Sequence, residues 1–279
     1  MSARHPVLGV FDSGFGGLTV LEALRNRVPD AEFLYFGDTA RLPYGTKSVE
    51  TVARYAIAAA RFLEERGAEM LVVACNTASA LALEPIRRAM KIEVVGVVEP
   101  GAQRAARVSK SRRAVVIATE ATVASHAYRK VLATHGVAAY EKACPLLVPL
   151  VEEGWTEHPV TEQVARIYLE EAFCRESSGA DVLVLGCTHY PLLKPLLARV
   201  VAGVGPEGVA LVDSAESTAE VVAQALRLHP LPPPSPEPER RTAPRLKCFA
   251  TDSVEKFRRI GERFVGHRLE DVEHVDLGG

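Results

Sequence analysis

Along the chain, runs of four or five apolar and β-branched residues alternate with longer stretches in which apolar positions recur every three or four residues. That alternation predicts parallel strands joined by crossover helices, an α/β fold. The strand-like runs fall at residues 7–11, 33–36, 70–74, 94–98, 114–118, 182–185, 209–212 and 246–250. Between the second and third, Val49, Val52, Ala53, Ala56, Ile57, Ala60 and Leu63 repeat at steps of three and four, and the pattern stops at Gly67. This spacing predicts one amphipathic helix closed by a glycine.

Open α/β sheets bind ligands in the crevice beyond the carboxyl ends of their strands. Those ends are polar here each time. Asp12-Ser13 follow the first run, Gly37-Asp38 the second, Cys75-Asn76-Thr77 the third and Glu99 the fourth. Thr119 follows the fifth, Cys187-Thr188-His189 the sixth and Asp213-Ser214 the seventh. The chain also echoes itself: residues 69–75 (EMLVVAC) match 181–187 (DVLVLGC) in register, and Val10-Phe11-Asp12-Ser13 resembles Ile117-Ala118-Thr119-Glu120. Two half-sites related by duplication are expected, although α/β units share such patterns widely.

Composition acts mainly by exclusion. A chain of 279 residues has room for two ordinary domains, and 48% hydrophobic with 24% charged residues is globular rather than disordered or fibrous. The net charge of -2 offers no basic field for a nucleic acid. No apolar stretch reaches the ~18 residues of a membrane span, and the short start before the first strand does not read as a secretory leader. A cytoplasmic protein is expected. Five cysteines, an odd number with no CxxC pair, argue against a disulfide framework and a structural zinc site, and apart from His189 the eight histidines show no metal-ligand spacing. Residues 229–245 (HPLPPPSPEPERRTAPR) hold seven of eighteen prolines and read as a solvated loop.

The candidate chemistry sits at the strand ends. Asp12-Ser13-Gly14-Phe15-Gly16-Gly17 is a glycine turn opening a helix, suited to an anion such as a phosphate or carboxylate, or simply to a tight turn. Cys75 and Cys187 each follow an apolar strand at the start of a helix, where backbone N–H groups favour a thiolate. A single such cysteine is more often a small buried hydrophobe. Two in matching contexts, with His189 beside one, point to working thiols. Cys144, Cys174 and Cys248 have no such setting and receive no role.

In order along the chain, DSGFGGLTV, GDTARLPYG, ACNTASA and GCTHYPLL resemble the cofactor-independent glutamate racemases of bacterial cell-wall synthesis. The resemblance spans nearly the whole chain, and the proline-rich segment lies outside the motifs that carry it. It implies two pseudo-symmetric α/β domains with the active site between them, residues 1–98 with 208–279 forming one and 99–207 the other. It implies interconversion of L- and D-glutamate for peptidoglycan, without metal or organic cofactor, with neither nucleic acid nor membrane as partner, and with a homodimer left open. Cys75 and Cys187 occupy the catalytic positions, helped by Asp12 and His189. Contacts to the amino acid fall on Asp12, Ser13, Tyr44, Gly45, Asn76, Thr77, Thr188 and His189. Asp38, Thr119, Thr122 and Glu152 (or its neighbour Glu153) lie in stretches that resemble further site segments.

The chemistry makes separate sense of this pair. Inverting Cα takes a proton from one face and returns one to the other, so a base and an acid must flank the substrate. Three rivals stay open: an aspartate racemase, a cysteine hydrolase with His189 as base, and a non-catalytic anion-binding module.

Overall fold

The computed structural model describes residues 5–174, 177, 179–228 and 246–278, so the proline-rich segment 229–245 lies outside the described residues. In chain order the elements are β1 (Val7–Asp12), α1 (Leu18–Arg27), β2 (Glu32–Gly37), α2 (Val49–Glu65), β3 (Met70–Val73), α3 (Asn76–Ala89) and β4 (Glu93–Gly96). Then come α4 (Val98–Val108), β5 (Arg113–Ala118), α5 (Glu120–Ser125), α6 (Ala127–Thr134), β6 (Ala138–Ala143), α7 (Leu147–Glu152) and α8 (Pro159–Ala172). The remainder are β7 (Val182–Gly186), α9 (Lys194–Val204), β8 (Ala210–Asp213), α10 (Ser214–Leu228), β9 (Leu246–Ala250), α11 (Val254–Val265) and β10 (Val272–His274).

The strands form two sheets, ordered β10-β9-β2-β1-β3-β4 and β6-β5-β7-β8, and the pairings are parallel throughout. The second sheet repeats the order of four strands of the first: β5 stands where β1 does, β6 for β2, β7 for β3 and β8 for β4. The sequence echo therefore has a topological counterpart. Cys75 follows β3 as Cys187 follows β7, and Asp12 ends β1 where Thr119 follows β5.

The chain does not return to the first sheet near Val209, as the expected boundary at 207/208 has it. β8 pairs with β7, from Val182↔Ala210 to Leu185↔Asp213. It is the counterpart of β4 and covers the edge of β7 that would otherwise leave backbone groups unpaired. The crossing follows through α10, which packs on both α4 and α1, and ends in β9 beside β2. Strands β6 and β10 were not expected. Both lie on sheet edges, and their half-exposed sequences, AAYEKA and VEH, lack an apolar run.

Local chemistry fixes the elements that matter for the site. Ser48 caps α2 by accepting from the Thr51 N–H at 3.3 Å, and Val52, Ala56, Ala59, Ala60 and Leu63 bury one face. The helix ends before Gly67, whose φ of +93° suits a residue without Cβ. Across the two halves α3 packs on α5 and α6, which brings the carboxyl ends of β3 and β5 together. No helix among the described residues is long and apolar enough to cross a membrane.

Candidate active site

The first half of the site begins where β1 ends. Asp12, 1% exposed, accepts from the Gly14 N–H at 2.8 Å, and the Tyr35 hydroxyl donates to the Gly14 carbonyl at 3.0 Å. Burial pushes the Asp12 carboxyl above the usual carboxylate range, against the opposing pull of His189 and of the backbone N–H groups at Gly14, Gly17 and Ser13. The glycines of this loop answer to close approach. A Cβ on Gly17 would stand 2.5 Å from that of Asp12, and one on Gly16 only 2.2 Å from Thr188 Oγ1 and 2.4 Å from His189 Nδ1. The loop is thus where the second half of the molecule meets the first. Thr19 adds a bond across the same seam, donating to the Thr188 carbonyl at 3.1 Å.

Cys75 caps α3: its Sγ accepts from the Ala78 N–H at 3.4 Å and donates to Ser13 Oγ at 3.3 Å. Burial, then the neighbouring Asp12 charge, push this thiol up to about 12, so it holds its proton at neutral pH. Cys187, 6% exposed, has Sγ 3.9 Å from His189 Nδ1, and the other ring nitrogen, Nε2, lies 3.0 Å from Glu152 Oε1. The structure thereby pairs Glu152, rather than Glu153, with His189. Burial disfavours the imidazolium, but the contacts to Cys187 and Glu152 outweigh it and push His189 up to about 10. Phe264 closes the ring edge-on, with centroids 5.2 Å apart. Arg263, its neighbour on α11, donates to the Glu152 carbonyl at 2.7 Å.

Between the cysteines, Asn76 Oδ1 accepts from the Tyr128 hydroxyl at 2.7 Å. Thr77, Thr119 and Thr122 close a triangle of hydroxyls, at 2.9 Å for Thr77 to Thr119, 3.3 Å for Thr77 to Thr122 and 2.9 Å for Thr119 to Thr122. Gly45 belongs to the same cluster, since a Cβ there would lie 3.1 Å from the Thr119 Cβ. Tyr44 and Asp38 are turned toward each other: the Tyr44 hydroxyl donates to Asp38 Oδ2 at 2.5 Å while Thr251 donates to Oδ1 at 2.9 Å. Both Asp38 oxygens are thus occupied, and Arg41 stands 3.4 Å from Oδ2. Asp38 braces the turn that carries Tyr44 and Gly45.

Among the described residues, two buried polar side-chain atoms have no partner, Asp12 Oδ1 and Asn76 Nδ2. Leaving each unsatisfied costs roughly 1–3 kcal/mol, so the arrangement calls for a ligand or water with a donor for one and an acceptor for the other. A zwitterionic amino acid has both, as ammonium and carboxylate. No three His, Cys, Asp or Glu side chains among the described residues gather so as to hold a metal ion. Cys144 and Cys248 are buried thiols likewise pushed up to about 12 by burial, and the Cys144 sulfur donates to the Lys142 carbonyl at 3.7 Å rather than to a residue of either half-site. A separate cleft of about 330 Å³, lined by Glu22, Arg25, Asn26, Pro29, Phe33 and His267, includes neither Cys75 nor Cys187. Its Arg25 is taken up by Glu22 and His267, each at 2.8 Å.

Tyr128 and Gly16 had not stood out as site residues in the sequence. A tyrosine within a helix has no local spacing to mark it, whereas Gly16 was visible as part of a turn whose purpose depends on a strand far along the chain.

Comparison with known proteins agrees with this geometry. Residues 18–222 match the family described as Asp/Glu/Hydantoin racemase. The glutamate racemase of Koribacter versatilis is 58% identical over 296 aligned positions covering 100% of both chains. Among solved structures, the glutamate racemase of Thermus thermophilus in complex with β-chloro-D-alanine is 45% identical, with TM-score 0.84 and 99% of each chain covered. That of Francisella tularensis in complex with D-glutamate is 33% identical, with TM-score 0.86 and 98% of each chain covered. By sequence along its whole length and by its two matched sheets, the chain belongs to the Asp/Glu/Hydantoin racemase family, in the branch formed by the glutamate racemases.

Proposed function

We propose that this isomerase interconverts L- and D-glutamate in the cytoplasm by proton transfer at Cα between two cysteines, supplying D-glutamate for peptidoglycan. The observation that carries the reading is the placement of Cys75 and Cys187 at equivalent strand ends of two matched sheets, each with its own polar helper. The names of the relatives and the D-glutamate held by the Francisella neighbour support glutamate as the substrate.

The substrate ammonium faces Asp12 Oδ1, and the carboxylate beside Cα faces Asn76 Nδ2 and the first-turn N–H groups of α3, which have no acceptor within their helix. The turn at Tyr44 and Gly45 with Thr77, Thr119 and Thr122, and Thr188 on the other side, frame the rest of the molecule. From L-glutamate, the Cys187 thiolate takes the Cα proton. The electron pair left on carbon spreads into the carboxylate, where donors at the start of α3 stabilise the added charge. The Cys75 thiol then gives its proton to the opposite face. That leaves Cys187 a thiol and Cys75 a thiolate; once the product has gone, water takes the Cys187 proton and returns one to Cys75, with the imidazolium of His189, held by Glu152, favouring the Cys187 thiolate and the Asp12 charge disfavouring that of Cys75. The reverse reaction exchanges the roles.

Incubating the purified protein with L-glutamate in D₂O tests this directly. Optical rotation should decay to zero while deuterium enters at Cα, and L-aspartate should turn over far more slowly. A protein that exchanges no Cα proton refutes the reading, and one that prefers aspartate corrects the substrate.

Glu152→Gln bears on the helper. Losing the carboxylate removes a contact that keeps His189 protonated up to about 10, so His189 deprotonates at lower pH in the variant. The basic limb of kcat/KM should shift to lower pH, and the maximum should fall roughly 10²-fold. An unchanged pH profile would remove Glu152 from the mechanism.

A further inference from the structure

The unpartnered donor on Asn76 is oriented by a hydrogen bond from the other half of the molecule. An asparagine amide can sit in its pocket either way round, and its neighbours decide which end is oxygen. Here Tyr128 on α6, fully buried, donates its hydroxyl proton to Asn76 Oδ1 at 2.7 Å. Beside that hydroxyl stands Ser214, the first residue of α10, at the polar end of β8. The phenolic proton points at Asn76, which answers with its carbonyl. Gly101 of α4 makes room for the pair: a Cβ there would lie 3.2 Å from the Ser214 Cβ and 3.4 Å from the Tyr128 hydroxyl. With Oδ1 so held, Nδ2 is turned away from Tyr128 and remains without a partner although Asn76 is only 2% exposed.

We propose that Tyr128 is a positioning residue for substrate binding: it fixes the amide of Asn76 so that Nδ2 is presented as a donor to the carboxylate adjoining Cα. Asn76 is the chain neighbour of Cys75, so a donor fixed there orders the substrate beside the sulfur that serves one face. This rests on the reading of Asn76 as a carboxylate ligand given above. It also ties the grip on substrate to the contact between α3 and α6. In the free protein the Tyr128 bond keeps the amide from turning to satisfy its own donor internally, which preserves an unmet hydrogen bond for the ligand to complete.

The test is a double-mutant cycle on steady-state racemisation with Tyr128→Phe, Asn76→Ala and the Tyr128→Phe/Asn76→Ala pair. Tyr128→Phe keeps the buried ring and should keep the melting temperature within a few degrees. Its KM for glutamate should rise about tenfold, with kcat changed less than about threefold. In the Asn76→Ala background Tyr128→Phe should add nothing, because the residue acts through that amide. An unchanged KM in Tyr128→Phe, or equal effects with and without Asn76, overturns the proposal while leaving the racemase reading standing. An unchanged KM in Asn76→Ala overturns both the proposal and the assignment of that residue to the carboxylate, while the wild-type turnover in the same assay reports separately on the activity.

Discussion

Replacing Cys75 or Cys187 by alanine is expected to lower glutamate racemisation by about 10⁴-fold in each case, the upper range for loss of a general acid or base. Each sulfur is the only group placed to move a proton on its face in this mechanism, so the second cysteine cannot make up for the first. The fold should survive. Cys75 and Cys187 are small side chains at strand ends, and removing one sulfur from a buried position costs about 1 kcal/mol of packing, a small part of a domain's stability. Circular dichroism of glutamate during turnover gives the rate, and thermal unfolding of each variant checks its integrity. Full activity in either alanine variant would sink the two-base mechanism. Alanine at Cys144 or Cys248, whose sulfurs contact neither half-site, provides the matched comparison for the effect of losing a buried thiol.

The sequence shows the parts of this arrangement that depend on neighbours along the chain. Eight strands were legible because a strand buried on both faces must be apolar throughout, as in β3 and β7. The half-exposed edges β6 and β10 carry no such pattern, so hydrogen bonding to a neighbouring strand defines them more than composition does. The same limit governs the site. Cys75 announces itself through strand, small residue, thiol and helix start, and Cys187 through the same strand end; the helix start expected at Cys187 is absent, since the chain turns through Thr188 and His189 and becomes helical only from Tyr190. The pairing of His189 with Glu152, 37 positions apart, arises from α7 packing beside the end of β7, and the bond from Tyr128 to Asn76 spans 52 positions. Nothing local in LVPLVEEGW separates Glu152 from Glu153. Their separation comes from the burial of Leu147 and Val151, which sets the face that α7 turns inward. The misplaced boundary at 207/208 has a related origin: the strand β8 reads the same whichever sheet it joins, and its partner is chosen by the empty edge of β7.

Serine in place of one cysteine is expected to separate the two faces, provided the reaction measured needs only one of them. Racemisation itself cannot do this. Its equilibrium constant is one, so kcat/KM must stay equal in the two directions however unequal the bases become. A glutamate analogue with a leaving group at Cβ or on nitrogen escapes the constraint. There the base removes the Cα proton, the leaving group departs with its electron pair, and the resulting enamine or imine is hydrolysed by water to the 2-oxo acid. No proton has to return to the opposite face. By resemblance to the family, Cys75 takes the proton from D-glutamate and Cys187 from L-glutamate. The settings of the two thiols fit a division of labour: Cys75 is held protonated by burial and by Asp12, while Cys187 faces an imidazole that Glu152 keeps charged. A serine hydroxyl is a far weaker base than a thiolate, so Cys75→Ser should lose elimination from the D-analogue by at least about 10²-fold and retain most of it from the L-analogue. Cys187→Ser should show the opposite preference. The ratio of the two elimination rates should therefore swing by about 10⁴ between the variants, a change that general loosening of the site could not produce with opposite signs. Equal loss for both enantiomers in both variants would refute the assignment of one base to each face, even with both cysteines essential to racemisation.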